Sequence, residues 1–266
     1  MWKYVATISY LGTNYCGWQK QRGSAALGDP SIQETVEKIL SKIIQESPSV
    51  VASGRTDAGV HALAQVAHFV TKNKKWESDL LMKGMNALLP KDIQIIDLKE
   101  VAIEFHAQRC AIKKQYSYYI QQGPTQLPHC YPVSWWIRKK LDVDRMKTAI
   151  AVLNGEHDFK AFQASGANPG STVRKIFETE ISYEQVHNAS KITIEDENSM
   201  FYIRIRVVGS GFLKQMVRSI AGTLIAVGEN KLDIEVFKAL LETKDRSLLG
   251  KTAPGRGLWL ERVWYP

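Results

Sequence analysis

The residues best suited to chemistry lie in one short loop, Gly54 to Ala62, with the sequence GRTDAGVHA. Its glycines let the backbone turn sharply and approach a ligand closely. Arg55 stands two residues before Asp57 and can keep that carboxylate ionised. An ionised carboxylate can act as a nucleophile or as a base. The pattern therefore makes Asp57 the candidate for catalysis.

The same residues also suit a purely structural loop. Asp57 could cap a turn and pair with Arg55 at the surface, which is the commoner outcome for an arbitrary Gly-Arg-Thr-Asp sequence. Metal binding is not indicated, because His61 and His68 have no second pair of ligands at a suitable spacing. These histidines are expected to be structural or hydrogen-bonding groups around the loop. Spacing alone leaves the catalytic and structural interpretations open.

The chain of 266 residues is basic, with 35 Lys and Arg against 27 Asp and Glu and a formal net charge of +8. Such a surface favours polyanionic partners through phosphate contacts and counterion release, and nucleic acid is the leading candidate. An uncommitted basic surface explains the charge equally well. The candidates for phosphate contacts are Arg22, Lys113, Lys114, Arg174, Arg204 and Arg206, with Arg138, Lys139 and Lys140 as weaker ones.

Three widely separated cysteines, Cys16, Cys110 and Cys130, form no CxxC pair. They are expected to be reduced thiols rather than zinc ligands or a redox pair. The start of the sequence lacks the pattern of a secretory leader, and no apolar run is long enough to span a bilayer. We therefore expect a cytoplasmic protein that uses no metal.

The elements around the loop are strands and helices. Residues 3–10 alternate as in a strand, and Ser31 with Glu34 matches a capping box at the start of a helix. The stretches SVVASG and LAQVAHFVT are predicted strands on either side of the catalytic candidate, so the loop lies where a sheet breaks for a turn. The helix SDLLMKGMNALL and the strand DIQIIDLKEV complete a first half, and we expect domains at 1–104 and 105–266.

The second half has a similar mixture. Helices are predicted at DVDRMKTAIAVLNG, ending near Gly155, at FLKQMVRSIAGTLIAVG and at DIEVFKALLE. Strands are predicted at AIKKQYSYYIQ, IFETEISYE, KITIED, MFYIRIRVV and GLWLERVWYP, and the stretch from Gly123 to Trp136 is predicted to be mostly loop. Since strands and helices do not alternate strictly, the order predicts an α+β fold with antiparallel or mixed sheets and helices packed on one side.

Seven stretches, in order along nearly the whole chain, resemble the tRNA pseudouridine synthase A (TruA) family. They are GWQKQ, GRTDAGVHALAQVAHF, NALLPKDI, FHAQRCAIKKQYSYYI, GEHDFKAF, FLKQMVRSIAGTL and KTAPGRGLWL. The resemblance implies a pseudouridine synthase fold, in which two related halves form a mixed, largely antiparallel sheet flanked by helices, with the active cleft between them. It also implies a homodimer that isomerises uridine to pseudouridine in the anticodon stem-loop of tRNA, at positions 38–40, without a cofactor.

By this resemblance, Asp57 is the catalytic residue and Arg55 helps to displace and replace the target base. Tyr116 corresponds to a tyrosine that stacks on the uracil, and Arg218 to an arginine that pairs with the catalytic aspartate. A base inside a stem must be flipped out, at a cost of about a few kcal/mol. Whether Asp57 attacks C6 of the base or C1′ of the ribose stays open, since a carboxylate can serve either route.

The sequence departs from the family pattern in three places. Leu11 stands where the family usually has Asp, Gln108 stands where it usually has Arg, and the segment GSAALGDP at 23–30 is longer than expected. Two other functions compete with the isomerase. One is a non-catalytic RNA-binding protein in which the Asp57 loop caps a turn or positions phosphates. The other is a glycoside-type hydrolase, which is disfavoured because no second carboxylate lies near the loop in sequence.

Overall fold

The structure is a computed structural model, and it describes residues 1–20, 29–73, 75–166, 170–185 and 201–266. Contacts between residues divide the chain into two compact units, Met1–Lys114 with Trp259–Pro266 and Gln115–Leu258. The C-terminal segment thus belongs with the first unit. The domain boundary expected after residue 104 remains a prediction.

The described residues form ten strands and five α-helices. The strands are β1 (Trp2–Tyr10), β2 (Val51–Ala52), β3 (His61–Thr71), β4 (Ile93–Val101), β5 (Lys113–Gln122), β6 (Trp135–Ile137), β7 (Gly155–Asp158), β8 (Val173–Gln185), β9 (Phe201–Gly209) and β10 (Leu258–Trp264). The helices are α1 (Ile32–Ile44), α2 (Ser78–Leu88), α3 (Val143–Ala151), α4 (Met216–Gly228) and α5 (Ile234–Thr243).

In the first unit, β1 lies between β3 and β4 and pairs with both in antiparallel fashion. The short β2 adds to β3 antiparallel, and β10 runs parallel to β3 where Trp259 lies opposite His61. Helix α1 begins after Ser31, whose Oγ accepts the Glu34 N–H at 3.1 Å. This is the serine half of the predicted capping box. The helix buries Ile32, Val36 and Leu40.

In the second unit, β8 lies between β7 and β9 and is antiparallel to both, while β6 runs parallel to β5, most of which belongs to this unit. Helix α3 is capped by Asp142, which accepts the Arg145 N–H at 3.0 Å. Helix α4 is the most buried helix of this unit, with Met216, Ile220 and Leu224 in its core.

The predicted α+β class, with a mixed and largely antiparallel pattern of strands and accompanying helices, is confirmed. Two local predictions, both of helix ends, were wrong. The helix expected from Phe212 begins at Met216, because Gln215 adopts a left-handed conformation with φ 61°. The helix expected to reach Gly155 ends at Ala151, and Gly155 opens β7 instead. The stretch from Gly123 to Trp136 is mostly loop, as predicted, and β6 begins only at Trp135.

Some predictions fall on residues that the structure does not describe. The strand KITIED lies within 186–200, while Arg22 and most of the 23–30 segment lie within 21–28. Within the described residues, none of the helices combines the length and the apolar character needed to cross a membrane.

Candidate active site

The loop that carries Asp57 runs from β2 to β3 and is held by the segment before α1. Gly17 and Asp57 form an isolated antiparallel bridge, and the Trp18 N–H donates to the Thr56 carbonyl at 3.0 Å. A turn then closes the loop, with the Val60 N–H donating to the Asp57 carbonyl at 3.2 Å. The backbone on either side of the Asp57 side chain is therefore fixed by hydrogen bonds.

Gly17 allows this close approach of two backbone segments. Its φ is +111°, a conformation that residues with a Cβ rarely adopt. A Cβ at this position would lie 2.6 Å from the Thr56 carbonyl oxygen and 3.0 Å from the Asp57 carbonyl carbon. The motif GWQKQ thus contributes a glycine that lets the chain pack directly against the loop.

Beneath the loop lies a frame of buried, uncharged hydrogen-bonding groups. The Tyr10 and Thr56 hydroxyls are 2.8 Å apart, and burial raises the pKa of Tyr10 to about 12, so the phenol is neutral at neutral pH. Ser53 Oγ donates to Gln65 Oε1 at 2.8 Å, and Gln65 Nε2 donates to the Gly54 carbonyl at 2.9 Å. This frame fixes the first residues of the loop without placing another carboxylate there.

The two charged residues of the loop differ in exposure. Asp57 is half-buried, whereas Arg55 is exposed. The carboxylate is therefore partly shielded by the loop, while the guanidinium can extend into solvent.

Two adjacent lysines of β5 have different surroundings in the first unit. The Lys113 Nζ lies 4.6 Å from the centroid of the Trp264 ring. The Lys114 Nζ lies 2.5 Å from the Ser53 carbonyl oxygen, at the start of the loop. Burial lowers the pKa of Lys114 to about 8. The sequence predicted the same role for both residues, and the structure gives them different contacts.

Two further predicted site residues lie in the second unit. Tyr116 is buried in β5, and its ring packs edge-on against Phe212 with centroids 5.1 Å apart. Arg218 is in the first turn of α4, where its Nε donates to the Ala253 carbonyl at 2.8 Å. The Ala253 N–H in turn donates to the Arg218 carbonyl at 3.1 Å. Both side chains are held in place within that unit, and the pairing of Arg218 with Asp57 stays a prediction.

The remaining phosphate candidates bond to oxygens of the chain itself. Arg174 donates to the carbonyls of Ser171 and Val173, at 2.9 and 2.6 Å, and burial lowers its pKa. Arg204 Nε donates to Ser117 Oγ at 2.9 Å. Arg206 forms ion pairs with Glu178 and Glu180, which balance its charge locally. The weaker candidates Arg138, Lys139 and Lys140 are exposed.

The histidines near the loop serve as hydrogen-bond acceptors. His61 Nδ1 accepts the Gly12 N–H at 3.0 Å, and His68 Nδ1 accepts the Ala107 N–H at 3.2 Å. Burial and then the nearby charges of His106 and Lys3 lower the pKa of His68 to about 4. Across the ranges that the structure describes, no group of His, Cys, Asp and Glu side chains could hold a metal ion.

Sequence reasoning missed the contributions of Gly17 and Lys114 to the loop. Gly17 lies in the motif GWQKQ, which was noted only as part of the family resemblance. Nothing in that motif indicates that Gly17 packs against the backbone of Thr56. Lys114 is next to Lys113, and strand alternation places the two on opposite faces. That alternation was the one available signal that they have different roles.

Comparison with known proteins agrees with the motifs. A family model described as tRNA pseudouridine synthase matches residues 6–108 and 149–266. The tRNA pseudouridine synthase A of Ruminiclostridium cellulolyticum is 41% identical over 265 residues and covers 100% of both chains. Those of Thermoanaerobacter pseudethanolicus and Geotalea daltonii are 37% and 41% identical, over 98% and 97% of both chains. The matched ranges include Asp57 and Arg218, and Tyr116 lies between them.

Proposed function

The chain belongs to the tRNA pseudouridine synthase family, and from that premise we propose that Asp57 is its catalytic carboxylate and that it acts on the anticodon arm of tRNA. The enzyme is an isomerase that converts uridine in tRNA to pseudouridine. The reaction detaches the uracil from C1′ of the ribose and rejoins it through carbon. It therefore needs a carboxylate held in a fixed position and a way to hold the free base.

The observation that carries the proposal is the way the chain presents Asp57. The residue follows Thr56, whose carbonyl and hydroxyl are both hydrogen-bonded, and its own carbonyl closes the turn to Val60. A backbone fixed on both sides reduces the freedom of the carboxylate before the substrate arrives. Holding a reacting group in position before the substrate binds lowers the entropic part of the activation barrier and so raises the reaction rate.

The other site residues take roles that their surroundings support. Arg55 is exposed and can enter the helical stack when the uridine leaves it, which offsets part of the roughly few kcal/mol that flipping costs. Tyr116 has its ring packed edge-on against Phe212, and we assign it the stacking on the flipped uracil that the family resemblance implies. Arg218 is held by the Ala253 carbonyl, and the pairing with Asp57 that the family resemblance implies is part of the proposal. Attack at C6 and attack at C1′ are both compatible with these roles.

The proposal extends to the phosphate contacts and to the assembly. We assign contacts with the tRNA backbone to four basic residues, Arg22, Lys113, Arg174 and Arg204. Arg206 is expected to contribute less, because Glu178 and Glu180 already pair with it. As the family resemblance implies, we propose a homodimer that works in the cytoplasm.

Mapping the modified nucleotides tests the proposed function. Purified protein is incubated with unmodified tRNA transcripts, and pseudouridine is located by carbodiimide labelling and reverse transcription. We expect reverse-transcription stops that report pseudouridine at positions 38–40, and no such stops in transcripts that carry cytidine at these positions. Sedimentation equilibrium is expected to give about twice the 30.0 kDa mass of the chain.

Each alternative function predicts a different result in the same experiment. Pseudouridine elsewhere in the tRNA would contradict the anticodon arm as the target. Tight tRNA binding without any product on several transcripts would favour the non-catalytic RNA-binding protein. Release of free uracil would indicate the hydrolase. A sedimentation mass of a single chain would contradict the homodimer.

A further inference from the structure

Lys114 has an environment that a phosphate-binding lysine would not need. Its Nζ contacts the carbonyl oxygen of Ser53, a residue with no exposed surface. A Cβ placed on Gly54 would lie 3.0 Å from the same Nζ. The ammonium group is thus directed inward, against the backbone at the beginning of the loop. Lys113, one residue earlier, instead lies over the Trp264 ring.

Burial of an ammonium group is unfavourable unless it gains a strong hydrogen bond. Burial lowers the pKa of Lys114 to about 8, which shows that the protein destabilises the charged form there. In return the ammonium makes a charge-assisted bond to a carbonyl, the stronger class of hydrogen bond. A side chain kept at this cost is expected to stabilise a particular backbone position.

The carbonyl that Lys114 binds is one of two at the root of the loop. The Ser53 carbonyl accepts from Lys114, and the next carbonyl, that of Gly54, accepts from Gln65 at 2.9 Å. The two peptide groups immediately before Arg55 are therefore each fixed by a side chain, one from Lys114 of β5 and one from Gln65 of β3. Any rotation of the Ser53 carbonyl would change the direction in which the loop leaves β2.

We propose that Lys114 is a positioning residue, whose inward ammonium holds the Ser53 carbonyl and thereby fixes the loop that presents Arg55 and Asp57. This role rests on the proposed function of that loop. It replaces the phosphate contact that the sequence suggested for Lys114 and leaves that contact to Lys113. The two neighbouring lysines then affect different kinetic constants.

Kinetics of three variants distinguish these roles. Lys114→Met removes the charge and keeps most of the length of the side chain. It is expected to lower kcat for pseudouridine formation about 10- to 100-fold and to leave KM for tRNA within about twofold of the wild type. The reason is that displacing a reacting group lowers the reaction rate rather than the affinity for substrate. Lys113→Met is the matched control and is expected to raise KM and lower kcat/KM. Lys114→Arg retains the charge and is expected to recover kcat to within about fivefold of the wild type.

Hydrogen exchange of the unliganded protein tests the positioning without any activity. In Lys114→Met, amides of residues 54–60 are expected to exchange at least about tenfold faster, while those of α1 and β1 keep wild-type protection. Should this variant fail to fold, Lys114→Gln is tested by the same criteria. If the wild type makes no pseudouridine, the proposed function fails, and exchange still decides whether Lys114 holds the loop.

Three results would overturn the proposal. One is a rise in KM with unchanged kcat for Lys114→Met, which would indicate a phosphate contact. Another is wild-type exchange in residues 54–60, or faster exchange spread evenly over the whole first unit. The third is an arginine variant as slow as the methionine variant.

Discussion

Replacing Gly17 with alanine tests whether the close packing of two backbone segments positions Asp57. The substitution adds a single methyl group, at a residue that takes no part in the chemistry. That group would meet the Thr56 carbonyl oxygen at 2.6 Å and the Asp57 carbonyl carbon at 3.0 Å. Both are backbone atoms and cannot rotate away as a flexible side chain would. The loop itself must therefore move.

The size of the effect follows from two contributions. Holding alanine at φ +111° costs about 1–3 kcal/mol. Ordinary contact between a Cβ and a carbonyl oxygen begins at 3.4 Å, so the two segments must separate by about 0.8 Å. A displacement of about 1 Å at a reacting group can reduce a rate about 100-fold. We expect kcat for Gly17→Ala to fall about 10- to 100-fold and the melting temperature to fall by about 5–10 °C.

Gly166→Ala provides the control, because Gly166 also has a positive φ, +73°, but nothing lies within 4 Å of its added Cβ. Steady-state kinetics on unmodified tRNA and thermal unfolding are measured for both variants. The control is expected to lose a little stability and no kcat. If Gly17→Ala retains the wild-type kcat, or loses no more than Gly166→Ala, the reasoning about backbone packing at the loop is refuted.

Three further predictions concern stability. Ser31→Ala removes the N-cap of α1 and should lower the free energy of unfolding by about 1 kcal/mol in urea titrations, whereas Ser31→Asp should restore it. Gln65→Leu removes the hydrogen bonds of Gln65 to the Gly54 carbonyl and to the Ser53 hydroxyl, and it should lower the free energy of unfolding by about 2–3 kcal/mol. A measured loss below about 1 kcal/mol would contradict this estimate. Burial lowers the pKa of His68 from 6.5 to about 4, so the unfolded chain binds this proton first as the pH falls. The free energy of unfolding should therefore fall between about pH 6.5 and pH 4, by roughly 3 kcal/mol. His68→Asn keeps an acceptor for the Ala107 N–H, and it should remove that part of the pH dependence.

Local sequence signals predicted most of the elements around the loop. Alternation over residues 3–10 gave β1, and the Ser31 capping box gave the start of α1, because both patterns involve only neighbouring residues. Signals at helix ends were less reliable. Gly155 resembles a helix stop but opens β7 with φ +108°, and Gln215 delays α4 by adopting a left-handed conformation that its residue type does not suggest.

The candidate site could be predicted only in part. A carboxylate between glycines made Asp57 a candidate for the reactive group, since that pattern lies within nine residues of sequence, and the family resemblance favoured this candidate over a structural loop. The contacts of the loop involve partners far apart in the chain, such as Gly17 with Asp57 and Lys114 with Ser53. No local sequence pattern indicates which face of β5 contacts the loop. The different environments of Lys113 and Lys114 could therefore be recognised only from the structure.

The central claim is that the Asp57 carboxylate performs the chemistry, and the single-turnover rate of Asp57→Asn tests it most directly. The amide has the same shape, so tRNA affinity and melting temperature are expected to stay close to those of the wild type. With enzyme in excess over tRNA, the rate of pseudouridine formation is expected to fall on the order of 10⁴-fold or more, and Asp57→Ala should fall as far. Pseudouridine formed by either variant at the wild-type rate would contradict the account.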